Sequence, residues 1–199
     1  MGGVPVKPIL NETIRNLYFH VSMWFSMMIL FLVSLIYSIK YLRTNKRIYD
    51  HYAVEFAQSG IVFGVLGLIT GMIWANYTWG KPWNNDPKQL GAAIALLIYL
   101  AYMVLRNSLP DEDKRAKTGA VYNVFAFAML IPTLWVIPRM LDSLHPGGMG
   151  NPAFNTEDID NRMRMIFWPA AVPGWTLLGV WITTLRIRLR KLQDLKFNA

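Results

Sequence analysis

Three residue groups in this chain have types that can do chemistry together. Two are histidines, His20 and His145. The third is the run Trp79-Gly80-Lys81-Pro82-Trp83-Asn84-Asn85-Asp86. Neutral imidazole is a good ligand for haem iron, and two imidazoles can clamp one iron from opposite faces. Indoles offer flat apolar faces for a flat apolar ligand. For these groups to act together, the chain must bring positions 20, 79–86 and 145 to one place, and the intervening elements decide whether it can.

Those elements read as membrane helices. The chain has 199 residues, 54% hydrophobic and only 16% charged. Ordinary soluble domains run near a quarter charged. Five stretches hold no charge at all: 21–39, 59–80, 89–105, 118–138 and 165–185. A helix needs about 20 apolar residues to cross ~30 Å of hydrocarbon. A soluble helix would show a charge every turn or two on its wet face. The expected fold is therefore all-α: a polytopic integral membrane bundle, one membrane domain over 1–199, with spans at about 20–39, 60–78, 89–105, 120–138 and 165–185.

Orientation follows from the basic residues. Thirteen Lys and Arg fall in 40–58, 106–117 and the tail after 185, against seven in the remaining segments. The richer side is expected to be cytoplasmic. This predicts an N-terminus outside, a C-terminus inside, and outer segments at 1–20, 79–89 and 139–164, with no cleavable signal peptide. His20 and His145 then share the outer side with the tryptophan loop. His51 falls on the inner side and is assigned no site. Residues 40–58 are expected to extend the first helix and turn near Gly60, and Pro110 to stop the third helix. The tail Leu185–Leu195 reads as a helix extension anchored to anionic headgroups of membrane lipid. Most of the net charge of +8 is thereby placed beside membrane ends, which argues against nucleic acid as a partner. With no cysteine, disulfides, iron–sulfur clusters, thiolate-bound haem and cysteine-linked haem are excluded.

Each candidate residue has a plainer reading beside the chemical one. Under this topology Trp24, Trp74, Trp79, Trp83, Trp135 and Trp168 sit at the outer end, and an interfacial belt would account for part of that. Trp79 and Trp83 lie in a Gly/Pro/Asn loop rather than on helix ends. Gly80 and Pro82 should break the second helix, while Asn84, Asn85 and Pro87 turn the chain into the third. Asp86, just before Pro87, can cap that helix. His20 could simply bond at the interface, and His145, in Ser143-Leu144-His145-Pro146-Gly147-Gly148, could be a loop histidine. Lys81, Lys88, Arg139, Arg162 and Arg164 are outer cations that could pair with haem propionates. Gly64, Gly67 and Gly71 suggest close helix packing on the second span.

With these residues in place, the chain resembles the haem-handling membrane proteins of cytochrome c maturation, the CcmC/CcsA family with its tryptophan-rich WWD motif, most nearly the haem exporter protein C branch. Leu17-Tyr18-Phe19-His20-Val21 is similar to the family's first histidine motif. Thr70-Gly71 through Trp74, then Trp79-Gly80, Trp83, Asp86 and Lys88, is similar to the span end that runs into the WWD segment. Ser143-Leu144-His145-Pro146-Gly147 is similar to the second histidine segment. Pro82 and Asn85 stand where the family often has indoles, and Lys88 where Arg is usual. Many relatives carry a further span before the first histidine, where five are counted here.

The resemblance implies that His20 and His145 are axial ligands of haem b, and that Trp74, Trp79, Gly80, Trp83, Asp86 and Lys88 belong to the segment that holds it. It further implies a place in the inner (cytoplasmic) membrane with the haem site on the periplasmic side. The cargo would pass to the haem chaperone CcmE with help from the CcmAB transporter and CcmD. That is a delivery and assembly role, not an enzyme's. The alternative is a single-haem cytochrome b-type electron-transfer subunit. A solute or proton transporter is less favoured, because such pathways need ionisable residues inside the spans and the five stretches have none.

Overall fold

The computed structural model describes residues 10–145 and 159–197. A 3₁₀ turn, Asn11–Asn16, leads into α1 (Leu17–Thr44), followed by α2 (Arg47–Trp79), α3 (Pro87–Ser108) and α4 (Glu112–Leu130). A π-helical turn, Ile131–Val136, joins α4 to the short α5 (Ile137–Met140). Beyond residues 146–158 come α6 (Asn161–Ile166), a second π-helical turn (Phe167–Ala171) and α7 (Val172–Phe197). Among the described residues, five helical stretches are long and apolar enough to cross a membrane: Asn11–Thr44, Arg47–Trp79, Pro87–Ser108, Glu112–Met140 and Asn161–Gln193. They contain the five charge-free stretches read from the sequence, save Gly80, which caps the second.

One expectation is overturned. The turn between the first two helices is not near Gly60 but at Asn45-Lys46. Asn45 takes a left-handed conformation, φ 53°, and its N–H donates to the Tyr41 carbonyl at 2.7 Å, closing α1. Asparagine tolerates this conformation better than most residues. Gly60 lies inside α2, where a Cβ would stand 2.5 Å from the Phe31 ring. Charges early in α2 hid the extension, and its two carboxylates there, Asp50 and Glu55, are buried in ion pairs. Asp50 meets Arg106 through two bonds of 2.7 and 2.8 Å, and Glu55 meets Arg186 at 2.6 Å and Arg190 at 2.8 Å.

The other punctuation follows the sequence. α2 stops at Gly80, φ 76°, whose N–H donates to the Asn76 carbonyl at 3.1 Å. α3 ends at Ser108, two residues before Pro110. The π-helical turns each contain a proline, Pro132 and Pro169, whose missing N–H interrupts the ordinary ladder.

α1 is central, packing on α2, α4 and α7, while α3 bridges α2 and α4. The core is aromatic and small-residue: Met27, Leu30, Phe31, Phe63, Leu96, Tyr99 and Tyr102 close around Ala57, Ala95 and Ala126. Phe31 and Tyr99 stack at 3.5 Å between ring centres. A polar seam runs down α1, where Ser34 donates to the Ala53 carbonyl at 2.6 Å and Asn123 donates to Ser34 and Ser38 at 2.7 and 2.8 Å. Interhelical bonds of this kind satisfy polar groups where water is absent.

Candidate functional site

At the end of the bundle that carries the 80–86 loop, a cleft opens between α1, α2, α3 and the α5 region. His20, Trp24 and Met28 line it from α1, Leu68, Gly71 and Met72 from α2, and Lys88, Gln89 and Ala92 from α3. Trp135, Pro138 and Arg139 close the far wall, and His145 stands at the mouth. His20 and His145, 125 positions apart in the chain, thus face one cavity. His51 lies in the first turns of α2, 16 residues before Gly67, or about 24 Å along the helix at ~1.5 Å per residue.

His20 rests on a shelf made by glycines. A Cβ on Gly71 would stand 2.5 Å from the imidazole Cε1, and one on Gly67 would stand 3.0 Å from the Trp24 indole. The glycines at i and i+4 therefore let α1 lay an imidazole and an indole against the backbone of α2. His20 Nδ1 lies 2.8 Å from the Gly67 carbonyl oxygen. A carbonyl can only accept, so Nδ1 carries the proton and donates, and Nε2 keeps its lone pair. Trp24 and Trp74 meet the imidazole edge-on, at 6.3 and 5.9 Å between ring centres.

His145 is held by Asp86. Its Nδ1 lies 2.8 Å from Asp86 Oδ1, whose side chain is 1% exposed. The same carboxylate accepts from Ser143 Oγ at 3.1 and 2.9 Å and from the Leu144 N–H at 2.6 Å. It also accepts from the Lys88 N–H at 2.8 Å, the helix cap expected from the sequence. Burial by itself would raise the Asp86 carboxyl. Hydrogen bonding from His145, the charge of that imidazole, and the Leu144 and Ser143 bonds outweigh it and hold the carboxyl well below the usual carboxylate range. An ionised carboxylate cannot donate, so His145 Nδ1 carries the proton of this bond, and Nε2 is the ring nitrogen that Asp86 does not engage.

The remaining candidates divide. Lys88 lines the cleft directly. Trp79 stacks edge-on against His145, 4.8 Å between ring centres and 72° between planes. Trp74 touches the cleft only through His20: its indole donates to Thr13 Oγ1 at 3.0 Å and packs with the cluster around Ile14 and Phe167. Trp83 donates to Asn85 Oδ1 at 2.7 Å and lies outside the cleft, and Gly80 serves as the end of α2. Pro146, Gly147 and Gly148 of the second histidine segment, and Lys7, fall outside the described residues.

For Trp24 and Trp135 the sequence leaves an interfacial belt open beside a ligand-binding role. Both are cleft walls, and Arg139 lies over the Trp135 ring at 5.1 Å. Gln89 was missed. Its Oε1 accepts from the Asn84 N–H at 2.9 Å and its Nε2 donates to the Pro82 carbonyl at 3.1 Å, so it pins the loop to the start of α3. A single glutamine at a helix start carries no pattern that would have marked it.

Comparison with known proteins finds relatives along most of the chain. The chain is 24% identical over 199 residues to "Heme exporter protein C" of Rhodobacter capsulatus, covering 96% of this chain and 80% of that one. It is 28% identical to "Cytochrome c biogenesis protein CcsA" of Carica papaya over 44% of this chain, and 44% identical to the protein of that name from Prochlorococcus marinus strain MIT 9515 over 33%. Those matches take in only 25% and 21% of the two CcsA proteins. The profile of the cytochrome c assembly proteins matches residues 2–144, which takes in His20, the tryptophan loop and Asp86. On that match this multi-pass membrane protein belongs to the cytochrome c assembly protein family.

Proposed function

We propose that the chain binds haem in this cleft, between His20 and His145, and hands it on during cytochrome c biogenesis as a delivery and assembly protein rather than an enzyme. The observation that carries the reading is the state of the two imidazoles. Each spends its Nδ1 proton on a fixed acceptor, Gly67 O or Asp86 Oδ1, and each ring belongs to the wall of the same cleft. That leaves two Nε2 lone pairs for one iron, with the ring orientation already set. Preorganised ligands of this kind avoid much of the ordering cost of binding.

The cleft walls suit the rest of the cargo. Trp24, Trp135, Met28 and Leu68 offer apolar surface to a haem b macrocycle, and Lys88 and Arg139 offer cations to its propionates. The charge bias of the loops supports an N-terminus outside and a C-terminus in the cytoplasm, and hence a site on the periplasmic side of the inner membrane. The relatives' names support a place in the same process, and the family resemblance implies the chaperone CcmE as recipient, with CcmAB and CcmD as the surrounding machinery.

The test is the visible spectrum of the detergent-solubilised full chain with haem added. The expected result is a Soret band and the low-spin signature of two imidazole ligands. Both should be lost in the double variant His20→Ala plus His145→Ala. A spectrum indifferent to that double change would remove the axial-ligand role. An electron-transfer subunit would keep its haem in the presence of a haem chaperone, whereas a delivery protein should surrender it.

A further inference from the structure

The two histidines are anchored alike in geometry and unlike in charge. His20 donates Nδ1–H to a neutral backbone carbonyl, and His145 donates to a buried carboxylate, at 2.8 Å in both cases. A carboxylate behind an imidazole draws the Nδ1 proton toward itself and raises the basicity of the opposite nitrogen. A carbonyl dipole does so more weakly, because hydrogen bonds with an ionised partner are roughly twice as strong as neutral ones. Asp86 is well fixed for this task. Its cap to the Lys88 N–H ties it to the start of α3, and among the described residues its other side-chain hydrogen bonds go to Ser143, Leu144 and His145. A cap alone would need only the first of these.

Resting on the haem reading above, we propose that Asp86 is a positioning residue that makes His145 the strong, retained ligand, and that His20, whose Nδ1 is backed by two neutral groups, the Gly67 carbonyl at 2.8 Å and the Thr70 hydroxyl at 3.4 Å, is the ligand that yields first when haem leaves. On this view Asp86 acts on the iron through His145 and not by touching the macrocycle. The loop that carries Asp86 and the segment that carries His145 form one unit, closed on itself by hydrogen bonds. His20 belongs instead to the helical shelf of Gly67 and Gly71. Opening the site by breaking one iron–nitrogen bond at His20 leaves that hydrogen-bonded unit intact, and the haem stays attached to it through His145.

Two measurements on the haem-loaded full chain test the assignment. The first is the midpoint potential of Asp86→Asn and Asp86→Glu. Asparagine keeps an oxygen that can accept from His145 Nδ1 and from the Lys88 N–H but removes the charge. The expected result is a two-imidazole spectrum with a midpoint potential raised above that of the parent, and a return toward the parent value in Asp86→Glu. A two-imidazole spectrum with an unchanged potential would overturn the proposal and leave Asp86 as a loop fastener.

The second needs no change at Asp86. Carbon monoxide displaces one axial ligand of ferrous haem and reports on the one that remains. The iron–CO stretch of the parent protein should match that of His20→Ala, where His145 is the sole imidazole, and differ from that of His145→Ala. A match to His145→Ala would reverse the order and overturn the proposal. The haem reading fails in a different way: neither histidine variant would then change the spectrum before CO is added. In the haem-free protein, ¹⁵N-histidine spectra should show His145 as the Nδ1–H tautomer with a strongly deshielded proton, lost in Asp86→Ala. Absence of that proton in the parent would also count against the proposal.

Discussion

Gly71 of α2 and His20 of α1 pack so closely that a Cβ on Gly71 would lie 2.5 Å from the imidazole Cε1 and 3.0 Å from Nδ1. No side chain larger than hydrogen fits without moving the ring. The imidazole is also tied to the Gly67 carbonyl, one helical turn away, so it cannot tilt aside without losing that bond. Gly71→Ala is therefore expected to break the His20–Gly67 hydrogen bond and turn Nε2 out of line. Its spectrum with haem should shift from low spin toward high spin, while the far-ultraviolet circular dichroism stays that of the parent. A low-spin spectrum identical to the parent's would show that the shelf does not set the ring.

The buried pair at the other end of the molecule makes a prediction about stability. Asp50 and Arg106 meet through two bonds, with side chains 9% and 5% exposed. Taking away one partner strands the other charge in a medium that cannot solvate it, at a cost of about 3–5 kcal/mol. Arg106→Met should therefore lower the melting temperature strongly. Replacing both, Asp50→Leu with Arg106→Met, should recover most of the loss, since a buried pair is close to neutral against a well-packed apolar substitute. Thermal unfolding in detergent of the two single variants and the double variant measures the difference.

The Asp86 tether should outlast mild acid. Its carboxyl is held below the ordinary range despite burial, because His145, Leu144 and Ser143 bond to the ionised form. For a lowered pKa the stabilisation is complete above the unfolded value, near 3.9, and is lost only as pH falls toward the lower folded value. Quenching of Trp79 by the neighbouring imidazole ring should thus be unchanged between pH 6 and about pH 4 as far as this carboxylate governs it. In Asp86→Ala, which removes the acceptor, the same contact should already be loosened at pH 6. Fluorescence of a variant retaining Trp79 among fewer tryptophans makes the comparison.

What the sequence disclosed, and what it did not, follows from the physics of each residue. The spans were legible because hydrocarbon excludes charge, so charge-free runs mark them. The start of α2 was not, because Asp50 and Glu55 satisfy their charge against arginines from other helices, which only the fold reveals. The ends at Gly80 and Asp86 were legible, because helix termination and capping are local chemistry. Trp24 and Trp135 looked like belt residues, because an interfacial tryptophan and a cleft-wall tryptophan sit at the same depth. The glycines of α2 announced a close approach, but not that an imidazole and an indole fill it. The family resemblance named the two histidines; the acceptors behind them, Gly67 and Asp86, emerged only from distances.

The wall opposite His20 depends on another glycine. A Cβ on Gly91 would collide with the Thr133 carbonyl oxygen, which belongs to the π-helical turn, and would come within 3.3 Å of Pro138. The obstacle is backbone, and it lies in a segment whose widened turn is fixed by Pro132, so it cannot give way as a side-chain tip would. Gly91→Ala must therefore push α3 away from the Ile131–Val136 turn. That separates Lys88, Gln89 and Ala92 from Leu134, Trp135 and Pro138 across the cleft. The overpacking should cost about 1–3 kcal/mol and lower haem retention with both histidines intact. Gly174, beside which a Cβ would meet nothing within 4 Å, supplies the control. Gly174→Ala should melt and retain haem like the parent, so equal losses in the two variants would mean that helix substitution in general, and not the Gly91–Thr133 contact, weakens the cleft.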